Sequence, residues 1–206
     1  MDTKKWFETV SQRLLADTTQ EQCAYSDRKP AAVALILRQT DSKRELLFIE
    51  RAHHPDDPWA GNIGFPGGRR DPVDVTLRHT AERETMEEVG IDLVSASYLG
   101  RLSDIVGANL PVRVSCFVYG LHMPVVPVLS DEVHEAFWFD LHELAHPRRQ
   151  VVAQVHFGGK LLEAPAIDLG LSGKAVLWGI TYRLVSQFRG LVECGSGQQP
   201  PYELPL

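Results

Sequence analysis

The chain has 206 residues, of which 44% are hydrophobic and 23% are charged, and its formal net charge at pH 7 is −6. This length and composition are typical of a folded protein with a sizeable core and exclude a disordered chain. Nucleic acids and anionic membranes require basic surfaces, and this acidic chain has no run of Lys or Arg. We therefore expect neither as a partner.

The cysteines and the hydropathy pattern point to a reduced, cytoplasmic protein. Cys23, Cys116 and Cys194 lie far apart and show no Cys-x-x-Cys spacing, which disfavours a disulfide framework and a zinc site. The N-terminal residues contain no long apolar run with a cleavage site, and no later segment has the length needed to cross a bilayer. We predict a cytoplasmic location.

The first third of the chain predicts a helix and two strands. Residues 3–16 form an amphipathic helix that we expect to pack on the domain. Its apolar side consists of Trp6, Phe7, Val10 and Leu14. Residues 31–39 and 45–51 are predicted strands, and the first is apolar enough to be buried on both faces. Residues 61–74, GNIGFPGGRRDPVD, form a glycine- and proline-rich turn before the next helix.

The rest of the chain predicts a mixture of strands and helices without a linker or repeat. We predict strands at 92–102, 111–122, 136–141 and 149–157. Residues 140–146 read as a short helix, and residues 102–113 as a loop over the site. Residues 173–190 predict a closing helix, with Leu177, Ile180, Leu184 and Phe188 at helical spacing. We interpret 1–206 as a single α/β domain with its core at about 30–190.

Three glutamates crowd the C-terminal half of the helix that ends at Gly90. The macrodipole disfavours acids there, and Glu84 and Glu88 are like-charged neighbours four residues apart. The inward stripe of this helix reads Leu77, Ala81, Glu84 and Glu88. A hard cation such as Mg²⁺ or Mn²⁺ would stabilise these carboxylates and could leave positions for water and phosphates. Taken alone, Glu84, Glu87 and Glu88 are equally consistent with a solvated acidic face.

Residues 65–91, FPGGRRDPVDVTLRHTAERETMEEVGI, resemble the Nudix box, G-x5-E-x7-R-E-U-x-E-E-x-G-U, in which U is bulky and apolar. The matching positions are Gly68, Arg83, Glu84, Glu87, Glu88, Gly90 and Ile91. Asp74 replaces the first glutamate, eight residues instead of seven separate it from Arg83, and Thr85 replaces an apolar residue. Because Asp74 keeps the negative charge, we expect that it can still position Arg83.

The resemblance implies a Nudix-type α/β/α sandwich with a mixed central sheet. It also implies hydrolysis of a phosphoanhydride in a nucleoside diphosphate linked to another group, with Mg²⁺ or Mn²⁺ as cofactor. The metal ligands carried over are the Gly68 carbonyl, Glu84, Glu87 and Glu88. Arg83 would orient a glutamate, so its loss should damage the geometry of the site more than substrate affinity.

The general base has two candidates. In some members of the Nudix family it lies in the box helix, which here means Glu84, and in others it comes from a later loop. That loop corresponds to SDEVHEAFWF, residues 130–139, where Glu132 precedes a strand. Glu132 and Glu135 can also be read as plain surface acids.

Residues 47–68, LFIERAHHPDDPWAGNIGFPGG, are similar to the pattern L-L-T-x-R-S-x3-R-x3-G-x3-F-P-G-G of the coenzyme A pyrophosphatase branch. The match includes Arg51, Gly61 and FPGG, so we predict Arg51, Phe65 and Gly67 as substrate-binding residues. The products would be 3′,5′-ADP and 4′-phosphopantetheine. The second arginine of the pattern is missing, with Asp56 and Asp57 near its place.

Several alternatives stay open from the sequence. The missing arginine favours an ADP-ribose or nucleotide-sugar pyrophosphatase. A non-catalytic Nudix module that binds a nucleotide is a further reading, although such modules typically lose box glutamates. Trp59 could stack on a nucleotide ring or anchor its loop by packing. Arg51 could contact a phosphate or form a salt bridge at the end of its strand, and a homodimer is left open.

Overall fold

The computed structural model describes residues 2–16, 28–54, 59–107, 111–157 and 159–193. The helices are α1 (Thr3–Ala16), α2 (Leu77–Val89), α3 (Leu141–Leu144) and α4 (Gly179–Glu193). The strands are β1 (Lys29–Gln39), β2 (Arg44–Arg51), β3 (Ile63–Gly64), β4 (Gly67–Arg69), β5 (Ser97–Arg101), β6 (Ile105–Val106), β7 (Val112–Leu121), β8 (Val133–Asp140), β9 (Gln150–Phe157), β10 (Lys160–Ile167) and β11 (Leu177–Trp178).

The central sheet is mixed. Its strand order is β3-β2-β1-β7-β5, with β4 on β1, β6 on β7 and β8 on β2. Strands β1 and β7 pair in parallel, and β1 pairs antiparallel with β2 and β4. Successive residues of β1 enter two separate apolar clusters, Leu35 and Leu37 in one, Ala34 and Ile36 in the other. The prediction that β1 is buried on both faces is confirmed.

Helices cover both faces of this sheet. One cluster combines α1 and α4 with the sheet, and it includes Trp6, Phe7, Val10, Leu14, Leu184, Val185 and Phe188. The other cluster combines α2 and the 3₁₀ turn Leu93–Ser95 with the opposite face, through Ala81, Val89 and Leu93. The predicted α/β sandwich with a mixed sheet is therefore confirmed, as is the amphipathic helix at 3–16.

The glycine-rich turn enters the sheet between two diverging strands. Strands β1 and β2 pair directly from Leu37↔Leu46 to Gln39↔Arg44. Farther along, β4 pairs with β1, whereas β3 pairs with β2. Gly67 lies opposite Val33 with φ 150°, and a Cβ there would meet the Val33 Cα at 2.6 Å. Only glycine fits, and the backbone of 67–68 is held directly against α2.

Helix α2 ends at Gly90, as predicted, and a threonine caps its start. The Thr76 hydroxyl accepts a hydrogen bond from the His79 N–H at 3.1 Å, and Gly90 ends the helix with φ 66°. Thr85 is fully buried, and its hydroxyl donates to the Ala81 carbonyl at 2.6 Å. This internal bond satisfies the hydroxyl, so threonine fits where the Nudix box has an apolar residue.

Two predicted elements begin later than expected. The strand predicted at 92–102 starts at Ser97, because the Asp92 carboxylate caps the 3₁₀ turn by accepting from the Val94 N–H. The helix predicted at 173–190 starts at Gly179, because Leu177 and Trp178 pair with β10 as a strand. The prediction placed Leu177 on a helix and missed the three-stranded sheet β11-β10-β9.

Other predicted segments agree in part with the structure. The loop predicted at 102–113 contains the short strand β6, and its residues 108–110 lie outside the described residues. Cys116 is a buried free cysteine, while Cys23 and Cys194 lie outside the described residues. In the part of the chain that the structure describes, no helix is long and apolar enough to span a membrane.

Candidate active site

A buried carboxylate positions the arginine of the box. Asp74 is 4% exposed, and its two oxygens accept from the Arg83 Nε and Nη2 at 3.0 Å each. The Thr80 hydroxyl and the Asp71 N–H donate to the same carboxylate, each at 2.9 Å. The hydrogen bonds from Arg83 hold the pKa of Asp74 well below its ordinary value. Asp74 reaches Arg83 despite the extra residue between them.

Arg83 also binds two of the three glutamates. Its Nη2 donates to Glu84 Oε1 at 2.9 Å and its Nη1 to Glu87 Oε2 at 2.8 Å. The Glu87 side chain is 58% exposed, whereas that of Glu84 is mostly buried. One guanidinium thus orients Glu84 while a buried aspartate fixes the guanidinium.

Glu84 packs against the backbone of Gly68. A Cβ at residue 68 would lie 2.4 Å from the Glu84 carboxyl carbon, so this contact requires glycine. Burial raises the pKa of Glu84 above its ordinary value, although the charge of Arg83 opposes the shift. The charges of Glu87 and Glu132 raise this pKa further.

Glu88 is the most buried of the three glutamates, at 2% exposure. Its Oε2 accepts from the Gly67 N–H at 2.8 Å, and its Oε1 lies 3.4 Å from Arg51 Nη1. Burial raises the pKa of Glu88 to about 7, against the opposing effects of the Gly67 N–H and Arg51. The charges of Glu84 and Glu132 add to the increase, so the negative charges repel one another as the sequence predicted.

Glu132 lies at the edge of this cluster. The segment before it runs along the end of α2, where the Ser130 N–H donates to the Glu88 carbonyl at 3.0 Å. The Glu132 carbonyl accepts from the Ala52 N–H at 2.8 Å, which fixes it beside the end of β2. Its side chain is exposed, and its charge acts on both Glu84 and Glu88. The structure therefore brings Glu132 near the box, and its role as the general base stays a prediction.

The residues present fit a hard divalent cation. Glu84 and Glu88 offer carboxylate oxygens beside the backbone of Gly67 and Gly68, and oxygen donors suit Mg²⁺ and Mn²⁺. Burial, with a smaller contribution from the neighbouring carboxylates, raises the pKa of both glutamates, so a bound cation would favour their charged forms. Among the described residues, no three His, Cys, Asp or Glu side chains are already arranged as a ligand set.

All three predicted substrate-binding residues have contacts within the protein. Phe65 is 5% exposed and stacks on Phe48 with ring centroids 5.2 Å apart, inside the core. Arg51 forms the ion pair with Glu88 that the sequence kept as an alternative to a phosphate contact. Gly67 N–H is bonded to Glu88. The substrate-binding role of these three residues stays a prediction.

Sequence reasoning missed one charged group near the site. Lys174 Nζ donates to Glu50 Oε2 at 2.7 Å and to Glu135 Oε2 at 2.5 Å. Glu50 and Glu135 lie directly opposite each other on β2 and β8, and Glu50 precedes Arg51. No local pattern around Lys174 signals this contact, because its partners are 124 and 39 residues away in the chain.

A cavity of ≈ 690 Å³ lies elsewhere in the molecule. It is lined by residues of α1, the turn between β1 and β2, and the start of α3, including Trp6, Arg13, Lys43 and His142. None of the box residues lines it. We therefore assign the candidate active site from the box residues and their contacts, and this cavity is separate from it.

A family model described as NUDIX domain matches residues 28–157. The chain belongs to the Nudix family. The family and the pyrophosphohydrolase class predicted from residues 65–91 are thereby confirmed. Helix α1 and the elements after residue 157 lie outside the match, so the prediction of one domain spanning 1–206 stays a prediction.

Two curated relatives and one solved structure illustrate the similarity. An uncharacterized protein of Schizosaccharomyces pombe is 36% identical over 118 residues, which cover 53% of this chain and 36% of that protein. The chain thus matches about a third of the length of that relative. Mouse mitochondrial coenzyme A diphosphatase NUDT8 is 30% identical over 173 residues, 82% of this Nudix chain and 80% of the mouse protein.

The crystal structure of a MutT/nudix family protein from Enterococcus faecalis has a TM-score of 0.53 and covers 94% of this Nudix chain and 75% of its own. Its sequence identity is 16%, so it shows the fold alone.

Proposed function

We propose that this Nudix protein hydrolyses the phosphoanhydride of coenzyme A or a derivative in a reaction that depends on Mg²⁺ or Mn²⁺. The products would be 3′,5′-ADP and 4′-phosphopantetheine. The observation that carries the hydrolytic part is the placement of Glu84 on Gly68 and of Glu88 on the Gly67 N–H. Half-buried Glu84 and buried Glu88 both lie against this glycine pair, where divalent cations would bind.

The residues of the chain have separate roles in this mechanism. Glu84, Glu88, Glu87 and the Gly68 carbonyl would hold divalent cations, which supply charge neutralisation and an activated water. Arg83 orients Glu84 and Glu87, and Asp74 keeps Arg83 in place. Either Glu84 or Glu132 accepts the proton of the attacking water. Glu84, Arg83 and Glu132 are therefore the proposed catalytic group.

Two observations favour coenzyme A as the substrate. The mouse relative of matching length is named a coenzyme A diphosphatase. Arg51, Gly61 and FPGG follow the pattern of that branch, and Arg51 lies within 3.4 Å of Glu88, where a substrate phosphate would approach the metal ligands. The missing second arginine favours ADP-ribose or a nucleotide sugar as the alternative, and its expected place at 55–58 lies outside the described residues.

A substrate panel tests this proposal. The purified protein would be incubated with Mg²⁺ or Mn²⁺ and coenzyme A, ADP-ribose, sugar nucleotides or nucleoside triphosphates. We expect coenzyme A to give 3′,5′-ADP and 4′-phosphopantetheine by chromatography, and a Glu84→Gln variant to give neither. Turnover of ADP-ribose without turnover of coenzyme A would transfer the assignment to the alternative substrate.

A non-catalytic nucleotide-binding module is the second candidate. It requires that the retained glutamates do not support turnover, and Mn²⁺ titration with the same panel separates the two. Tight Mn²⁺ binding with turnover supports the enzyme, whereas nucleotide binding without turnover of any panel member supports the module. The cytoplasmic location also stays a prediction, since the mouse relative is named mitochondrial.

A further inference from the structure

Three aromatic residues of intermediate burial lie beside the end of β2. The Trp59 ring is 4.8 Å from Phe157 and 6.2 Å from Trp178, measured between centroids, and Phe157 and Trp178 are 6.0 Å apart. We call these three residues the aromatic cluster. Unlike the core rings of Phe48 and Phe188, which are fully buried, each ring belongs to a residue that keeps part of its surface in solvent.

Main-chain hydrogen bonds connect this cluster to Arg51 at the end of β2. The Arg51 N–H donates to the Asn62 carbonyl and the Gly61 N–H to the Arg51 carbonyl, each at 3.1 Å. The Asn62 N–H donates in turn to the Trp59 carbonyl at 3.0 Å. Because the Arg51 side chain contacts Glu88, the residues that follow Trp59 are hydrogen-bonded to a residue that touches one of the proposed metal ligands.

Side-chain contacts hold β11, of the three-stranded sheet, and the segment before it against the end of β2. Trp178 Nε1 donates to Asn62 Oδ1 at 3.1 Å. Lys174, four residues earlier, binds both Glu50 and Glu135, and Glu50 precedes Arg51. The ion pairs and the indole hydrogen bond fix the position of Trp178 relative to β2. The aromatic cluster is therefore built from three separate segments that meet beside the end of β2, whose Arg51 contacts Glu88.

We propose that the aromatic cluster is the subsite for the planar base of the substrate, with Trp59 as its principal stacking residue. Exposed faces of Trp and Phe rings stack on nucleobases, and hydrogen bonds that hold a ring reduce the entropy lost on binding. This inference rests on the proposed function, which supplies an adenine-containing substrate. The inference adds to that function the residues that would bind the base, which are separate from those that would bind the reacting phosphates.

The test compares a base-containing probe with one that has none. Binding of AMP and of inorganic pyrophosphate would be measured by calorimetry with saturating Ca²⁺ for the wild type, Trp59→Ala and Trp59→Phe. We expect Trp59→Ala to weaken AMP about 10-fold, while pyrophosphate affinity changes less than about 2-fold. Trp59→Phe should retain AMP affinity within about 3-fold, because a ring remains. Equal AMP affinity in the wild type and Trp59→Ala would overturn the proposal, as would equal losses for both probes.

A second measurement does not depend on truncating the cluster. Trp6→Phe and Trp138→Phe together leave Trp59 and Trp178 as the only tryptophan fluorophores. AMP should quench this emission with the Kd found by calorimetry, and an AMP titration without quenching would contradict the proposal. If AMP binds the cluster but coenzyme A is not cleaved, the base subsite stands and the substrate assignment fails. If the wild type and Trp59→Ala cleave coenzyme A equally, the substrate assignment stands and the base subsite fails.

Discussion

Arg51 forms an ion pair with Glu88, a carboxylate that a divalent cation would also bind. Its Nη1 lies 3.4 Å from Glu88 Oε1, while the other oxygen of Glu88 binds the Gly67 N–H. The guanidinium therefore partly neutralises Glu88 in the metal-free protein. A cation that binds Glu88 must share this carboxylate with Arg51 or displace it, after which Arg51 can contact a substrate phosphate.

We expect Arg51→Gln to change metal and substrate affinity in opposite directions. Removing a positive charge near Glu88 should tighten Mn²⁺ binding roughly 3-fold to 10-fold at pH 8, as measured by electron paramagnetic resonance. The KM for the substrate should rise by a similar factor if Arg51 meets a phosphate. Arg44→Gln is the matched control, because Arg44 stacks on Trp6 at the other end of β2. Unchanged Mn²⁺ affinity in Arg51→Gln would show that Arg51 does not compete with the metal for Glu88.

Gly68→Ala should abolish most activity without unfolding the protein. The new Cβ would lie 2.4 Å from the Glu84 carboxyl carbon, so the carboxylate must move away from the site. We expect kcat to fall at least about 100-fold, since small displacements of catalytic groups have effects of this size. Gly190→Ala is the control, because its Cβ meets nothing within 4 Å. Circular dichroism should show both variants folded, and near-normal kcat for Gly68→Ala would contradict the contact.

Asp74→Asn should reduce both stability and activity. The substitution leaves Arg83 without its buried counter-ion, which costs about 3 kcal/mol in comparable sites, and urea unfolding would measure the loss. The pKa of Asp74 is lowered in the folded state, so its contribution is present above the unfolded pKa and is lost as pH falls through acid values. The variant should therefore show a flatter loss of stability on acidification. Asp71→Asn, in the exposed turn, should behave like the wild type.

Glu88 should make the metal-free protein less stable as pH rises. Its folded pKa is about 7 and its ordinary value is 4.5, so between these values the folded state retains a proton that the unfolded state releases. Stability in EDTA should fall by up to roughly 3 kcal/mol across this window. Glu88→Gln should remove this component in parallel urea titrations. Mn²⁺ affinity should increase with pH up to about 7, because metal binding needs the deprotonated carboxylate.

Two glutamine substitutions distinguish the candidate bases. Glu84→Gln should be nearly inactive under either mechanism, because Glu84 is also a proposed metal ligand. Glu132→Gln should lower kcat about 100-fold or more if Glu132 accepts the proton, with Mn²⁺ affinity changed much less. Near-full turnover of Glu132→Gln would assign the base to the box helix. Glu135→Gln provides a neighbouring acidic control on β8 that contacts Lys174 instead.

Sequence by itself determined the family, α2 and the chemistry of its acidic face. The spacing of the glutamates is read directly from the chain, and the stop at Gly90 is local, because the Gly90 N–H bonds to the Met86 carbonyl. The apolar pattern of β1 likewise predicted burial on both faces, because hydrophobicity along a strand reports directly on its surroundings.

Tertiary structure decided which distant groups meet. The ion pair of Arg51 with Glu88 and the bonds of Lys174 to Glu50 and Glu135 join residues far apart in the chain. Residues 177–178 became a strand because β10 offered a pairing edge, although their spacing suited a helix. Periodicity describes one segment's preferences, whereas pairing partners and counter-ions depend on how the strands diverge and where loops cross them. Only the folded chain settles those contacts.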